Sequence, residues 1–268
     1  PPFGVFKVAI QSFFRPRTAA RIIWQFLSLL LFQYSPITVI QHKLEVEVEL
    51  KLVIGNKNYS SWSMRPWILL KYFDVDFEEI SVDLFVDGYD DELAKFSPHG
   101  KVPVLLDGEP RIWDSLAICE YVSEKYLSGA ALPEELHARA RCRSYCSEMH
   151  SGFHSIRNEL PMNCRAQRLV EFSAGSLADI KRIDTLWMEA RSKVEAEGEY
   201  LFGDFSLADC LYAPVVMRFH CYRASLSEVS QRYMQAILDN SAVRNWCEEA
   251  RAETQILPDF EIGTEISD

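Results

Sequence analysis

Four hydroxyls fall within the five positions Tyr59 to Ser63 of the stretch Asn56-Lys57-Asn58-Tyr59-Ser60-Ser61-Trp62-Ser63-Met64-Arg65. The stretch follows a strand-like run that ends in Val53-Ile54-Gly55 and leads into Arg65-Pro66-Trp67-Ile68-Leu69-Leu70-Lys71-Tyr72. The latter reads as a helix with Pro66 in its first turn, where the missing N–H costs nothing. A strand, turn and helix in that order bring Tyr59, Ser60, Ser61 and Ser63 to the point where free helix N–H groups and the positive end of the helix dipole converge. Such a setting stabilises an anion. Serines there also serve as helix caps, and Ser63 reads as one. Asp114-Ser115 opens another helix. An acid and a hydroxyl beside free N–H groups can hold a ligand, and a plain capping pair has the same sequence. Lys101-Val102-Pro103 begins a short strand, and a proline there leaves backbone groups unpaired at its edge. Ser206-Leu207-Ala208-Asp209 is a capping-box pattern with Asp in place of Glu or Gln, and it reads as structural.

Other chemistries find less support. His150 and His154 are spaced for a metal on one helix face, but no third ligand accompanies them, and they read as surface histidines. Cys142 and Cys146 need no metal either. The seven cysteines are scattered without CxxC pairs, so reduced thiols are expected rather than a disulfide framework or a zinc site. None of them lies between Pro1 and Ala117, so the hydroxyl-rich turn carries no nucleophilic thiol and thiol–disulfide exchange is disfavoured. The net charge of −11 over 268 residues argues against a phosphate-binding surface, and no nucleic-acid partner is expected.

The elements that must position these residues follow in a clear order. Glu45 to Leu52 alternates polar and apolar residues and runs into Val53-Ile54, which reads as a strand. Then come the helix at 65–72, a strand at 77–84, a short helix at 89–96, strands at 102–106 and 111–113 about an Asp107-Gly108 turn, and a helix from Asp114-Ser115 to about Leu127. Ser128 to Pro133 looks like a linker. Beyond it apolar residues recur at three- and four-residue spacing over 134–156, 177–196, 206–221, 227–238 and 242–251, which predicts helices. The expected organisation is a leader over 1–43, an α/β unit over 44–127, the linker over 128–133 and an all-helical unit over 134–268.

The leader differs in charge from everything after it. Lys7, Arg15, Arg17, Arg21 and Lys43 stand there without one acid, while the remaining residues carry 23 bases against 39 acids. Its apolar run from Ile22 to Ile40 is broken by Gln25, Ser28, Gln33, Ser35, Pro36 and Thr38, which makes a poor membrane span. Three expectations stand side by side: a disordered or artefactual extension, an organelle-targeting peptide and a membrane anchor.

Four segments together resemble the glutathione transferase family: LVIGNKNYSSWSMRPWILL, SPHGKVPVLLDG, WDSLAICEYVSEKY and FSLADCLYAPV, in that order. The resemblance is to bacterial-type members with a Ser-rich active-site turn, and it runs from about Lys51 to Pro258. It implies a thioredoxin-like domain followed by a helical bundle, glutathione as co-substrate without a metal, a small hydrophobic electrophile, a homodimer and a detoxifying role in the cytoplasm. It implies that Ser60 donates to the glutathione thiolate, with Ser61 and Tyr59 in reserve and Arg65 five residues on. It further implies a cis Pro103, a backbone contact from Val102 to the cysteinyl unit, and Lys101 on the glycine carboxylate. Ser115 would take the γ-glutamyl carboxylate and Asp114 its ammonium, Asp being shorter than the usual Glu or Gln. The second substrate would lie between the domains, walled by Trp62, Tyr145, Met149 and Phe153. The turn also resembles enzymes that isomerise maleyl-type double bonds by transient glutathione addition, and a non-catalytic glutathione-binding module is a third possibility. If the thiol behaves like cysteine, with a pKa near 8.5, lowering it by about two units takes roughly 2.7 kcal/mol. A hydroxyl donor at a helix N-terminus can supply that much.

Overall fold

The computed structural model describes residues 50–109, 111–194 and 198–266. The leader, the alternating stretch before Leu50 and the last residues of the helix expected at 177–196 lie outside them.

The first part is a four-stranded sheet in the order β2-β1-β3-β4. It comprises β1 (Lys51–Ile54), β2 (Glu78–Ser81), β3 (Val104–Leu106) and β4 (Ile112–Trp113). β1 runs parallel to β2 and antiparallel to β3, with Leu52 opposite both Glu79 and Leu105. Leu52, Ile54 and Leu105 point into the main core, while Val53 and Val104 meet Val82 and Leu93 on the other face. Both faces of β1 are therefore covered, which is why its sequence is a continuous apolar run rather than an alternating one. α1 (Ser61–Tyr72) and α3 (Ser115–Lys125) cover the first face, and α2 (Tyr89–Ala94) covers the second through Leu93. This is the thioredoxin-like arrangement.

The second part is helical: α4 (Leu136–Ser151), α5 (His154–Glu159), α6 (Ala174–Ser192), α7 (Leu207–Cys221), α8 (Glu228–Asp239) and α9 (Ser241–Ala252). It is not purely so, because β5 (Arg168–Leu169) pairs with β6 (Thr264–Glu265) near the end of the chain. One core runs through both parts, from Leu52 and Trp67 to Trp187 and Trp246. The expected linker is itself pinned: Ala131 and Leu132 are buried, and the Leu207 N–H donates to the Ala131 carbonyl at 2.8 Å.

Several boundaries differ from the sequence reading, and two of the differences have a clear local reason. α1 begins at Ser61, because the Met64 N–H already bonds the Ser60 carbonyl at 3.2 Å. Pro66 therefore sits inside the helix, where it withholds the N–H that would have reached the Trp62 carbonyl. The single helix expected over 134–156 is broken at Gly152-Phe153. A Cβ on Gly152 would stand 2.8 Å from the Glu148 carbonyl oxygen, and Phe153 takes a left-handed φ of 59°. Asp179 then starts α5 by accepting from the N–H groups of Ser155 and Ile156 at 3.0 and 3.2 Å.

Asp209 anchors α7. Its carboxylate accepts from the Leu201 N–H at 3.1 Å and from the Ser206 N–H and hydroxyl, each at 2.8 Å. Full burial outweighs these bonds and raises its pKa to about 6. A proton on Asp209 therefore favours the folded state, an advantage present in full below the ordinary aspartate pKa and lost as pH rises through 6. An amide at this position cannot titrate. In urea unfolding, the margin of the wild type over Asp209→Asn is expected to shrink by on the order of 2 kcal/mol between about pH 4 and pH 6. A constant margin would show Asp209 ionised throughout.

Candidate active site

Ser60 is the N-cap residue of α1, half-buried, yet its side chain caps nothing. Its Oγ donates instead to Ser63 Oγ at 2.8 Å. Ser63 is not a cap either. It lies inside α1, and its Oγ accepts from the Gly55 N–H at 3.2 Å, tying the helix to the end of β1. A Cβ on Gly55 would stand 2.4 Å from Leu84 Cδ1 and 3.3 Å from Val102 Cγ2, so any other residue there would displace the Leu84 side chain. That close approach brings Val102 beside the turn. The Val102-Pro103 bond is cis, and the β1–β3 ladder starts only at Val104, so Val102's backbone lies outside it. Lys101 is exposed, with its backbone N–H and carbonyl both bonded to Ser97 Oγ, at 3.0 and 2.7 Å.

The other hydroxyls of the turn are engaged elsewhere. Tyr59 donates to Glu261 Oε1 at 2.6 Å and accepts from Arg165 at 2.8 Å and the Leu257 N–H at 3.3 Å. Burial and then Glu261 push its pKa up. Ser61 is buried and accepts from Arg218 at 3.2 Å.

At the start of α3, Asp114 holds a backbone of φ 76° and ψ 127°, strained for any residue with a Cβ. Its Oδ1 accepts from the N–H groups of Leu116 and Ala117 at 2.9 and 3.3 Å. Its Oδ2 stands 3.1 Å from His150 Nε2. Ser115 is buried, and its Oγ accepts from Arg65 NH1 at 3.1 Å. With one lone pair occupied by a cation, the hydroxyl is free to turn its proton toward an incoming anion. Arg65 is itself fully buried and lies 4.1 Å over the Trp62 ring, while its Nε and second terminal nitrogen meet no partner among the described residues. Burial first, then Arg157 and Arg218, lower its pKa to about 9, which still leaves it charged at neutral pH. Arg157 approaches the same ring at 4.9 Å. Three guanidiniums thus surround the first turn of α1, a field that favours an anion.

The turn is held from the far end of the chain. Glu253 accepts from the N–H groups of Lys57 and Asn58 at 2.5 and 3.0 Å, and Trp246 donates to the Lys57 carbonyl at 2.9 Å. The Lys57 ammonium is buried between Glu79, at 2.7 Å, and Glu249.

The structure brings together Ser60, Val102, Asp114, Ser115 and Trp62 through these contacts. It does not place Tyr145, Met149 and Phe153 on a pocket wall. They are 8%, 1% and 7% exposed and belong to the main core. Trp62, 36% exposed, alone of that set stands at the surface. His150 is not a surface histidine: it packs edge-on against Trp62 at 5.3 Å, while His154 is exposed on a different helix. A separate concavity of about 1260 Å³ lies under the 128–135 segment and shares none of these residues.

Sequence reasoning passed over Arg218, Arg157 and Glu253, and it read His150 as a surface histidine. Arg218 left a signal, as a cation in the otherwise apolar stretch Val215 to Phe219. Glu253 left none, since its partners lie 196 and 195 residues away.

Residues 59–125 match the family described as "Glutathione S-transferase, N-terminal domain". Glutathione S-transferase F10 of Arabidopsis thaliana is 32% identical over 159 residues, covering 57% of this chain and 74% of its own length. Among solved structures, a maleyl pyruvate isomerase described as a bacterial zeta-class glutathione S-transferase superposes with a TM-score of 0.61 at 22% identity, covering 76% of this chain and all of its own. A glutathione transferase homologue from Burkholderia, with bound glutathione, gives 0.56 at 22% identity, covering 76% and 98%. The chain belongs to the glutathione S-transferase family.

Glu253→Ala removes the acceptor of two turn N–H groups. It is expected to cost about 2 kcal/mol in urea unfolding and to speed hydrogen exchange selectively at Lys57 and Asn58. Unchanged exchange there would show that the turn stands without its distant support.

Proposed function

We propose that the chain is a glutathione transferase in which Ser60 stabilises the thiolate of bound glutathione for attack on a soft electrophilic carbon of a hydrophobic small molecule. The observation that carries this is the state of the four hydroxyls. Tyr59 and Ser61 are committed to distant partners, Ser63 ties helix to strand, and Ser60 sits at the helix N-terminus without capping it. Its proton, now shared with Ser63 at 2.8 Å, can turn to a sulfur without breaking a backbone bond.

The surrounding residues fit glutathione. The Ser115 hydroxyl and the α3 N-terminus suit the γ-glutamyl carboxylate, Asp114 the ammonium, the Val102 backbone the cysteinyl unit, and Lys101 the glycine carboxylate. The thiol proton leaves to solvent, sulfur forms the new bond to carbon, and the leaving group departs with its electron pair. The Ser-rich turn of bacterial type, a homodimer and a detoxifying role in the cytoplasm belong to this reading through family resemblance; organelle delivery by residues 1–43 rests instead on the acid-free, basic sequence of that leader. Among the described residues no helix is long and apolar enough to cross a membrane.

The guanidiniums of Arg65, Arg157 and Arg218 favour a second reading. An acidic electrophile would suit that field, as in the glutathione-dependent isomerisation of a maleyl-type diacid of the maleylacetoacetate kind.

The test is the ultraviolet absorbance of bound glutathione thiolate against pH, for the wild type and Ser60→Ala. The thiol pKa is expected to fall by a unit or more on the wild type, about 1.4 kcal/mol per unit, and to recover in the variant. A fall that survives the substitution removes Ser60 from the role. Binding without any fall turns the reading to a non-catalytic glutathione-binding module. Consumption of glutathione by an aryl halide supports the transferase, and turnover of a maleyl diacid without net consumption supports the isomerase.

A further inference from the structure

His150 has no part in the reading above, yet it stands against it. It occupies the last turn of α4, with its Nε2 3.1 Å from Asp114 Oδ2, the carboxylate oxygen that the α3 N–H groups leave open. Its ring packs edge-on against Trp62 at 5.3 Å. Its Nδ1 is buried and has no partner among the described residues. An unpartnered ring nitrogen fits a bare lone pair better than an N–H, so the proton sits on Nε2 and is donated to Asp114. The groups facing the ring agree. Asp114 favours a cation, as does the C-terminal end of α4, but burial, Arg65 from α1 and Arg157 from α5 oppose it, and the net direction is downward. The imidazole is therefore a neutral donor at neutral pH.

We propose that His150 is a positioning residue for the ammonium of glutathione: through Nε2 it fixes the rotation of the Asp114 carboxylate, so that Oδ2 faces the γ-glutamyl nitrogen before glutathione arrives. The proposal rests on the assignment of Asp114 given above. Asp114 needs such a brace for two reasons. Its side chain is 41% exposed, and its strained backbone alone does not hold the second oxygen. The brace also crosses from the helical part of the fold to the thioredoxin-like part, so recognition of the ammonium depends on both.

The experiment compares glutathione with its des-amino analogue, glutaryl-cysteinyl-glycine, on the full chain and on His150→Phe and His150→Gln. The wild type is expected to prefer glutathione. His150→Phe keeps a ring against Trp62 but donates nothing, and it should raise KM for glutathione on the order of tenfold with kcat within about twofold. Its KM for the analogue should not change. His150→Gln restores a donor and should recover most of the preference. Because His150→Phe could fail to fold, the wild-type imidazole is also followed by NMR. Glutathione should depress its pKa further by partly neutralising Asp114, and the analogue should not. A wild type that does not distinguish the two ligands overturns the assignment of Asp114, and this inference with it. A wild type that does distinguish them, with variants that distinguish them equally or an imidazole indifferent to either ligand, overturns the inference alone.

Discussion

Everything in this fold depends on the enclosure of α1. A helix whose apolar residues are not confined to one stripe must be covered on all sides. Ser61, Ser63, Met64, Arg65, Pro66, Trp67, Ile68, Leu69 and Leu70 are all buried. The sheet and α3 cover one side, and α7 and α9 cover the other. The two parts of the chain are therefore fused around one helix. Enclosure also fixes the N-terminal turn, so Ser60 is presented by a rigid element and costs little to organise when a ligand binds.

The same enclosure has an electrostatic price. Arg65 lies wholly inside, beside Arg157 and Arg218, and Asp114 is the carboxylate that offsets it. Buried like charges cost several kcal/mol unless something compensates them. Here the partial compensation falls on Trp62 and Ser115, the groups that border the proposed ligand. In the proposed reading, an anion bound there would complete that compensation. Ligand binding and fold stability are linked in this region.

The sequence made the local part of this legible. Strand, turn and helix around Ser60, the short strand after Pro103, and the capped helix after Asp114 all follow from neighbouring residues, and the motif order pointed to the family. Most of what escaped it was set by contacts between distant residues. The start of α1 is displaced from the reading because a proline marks a first turn by local rules, whereas burial of this helix tolerates Pro66 further in. The 134–156 periodicity concealed the break at Gly152, where a carbonyl of the preceding turn leaves no room for a side chain. Tyr145, Met149 and Phe153 kept helical spacing and so looked like a wall, whereas that face packs into the core. His150 could not be matched to Asp114 from sequence, because the two stand on different helices far apart in the chain.

The grip of Glu253 on the turn has a consequence for synthesis. The ribosome releases a chain from its N-terminus, so the sheet and the serine turn emerge long before the segment that completes them. The N–H groups of Lys57 and Asn58 wait for an acceptor nearly two hundred residues downstream, and Tyr59 waits for Glu261. A nascent or truncated chain thus carries the serine turn without its finished geometry. Only a chain translated past Glu261 closes that turn, which couples competence to completion.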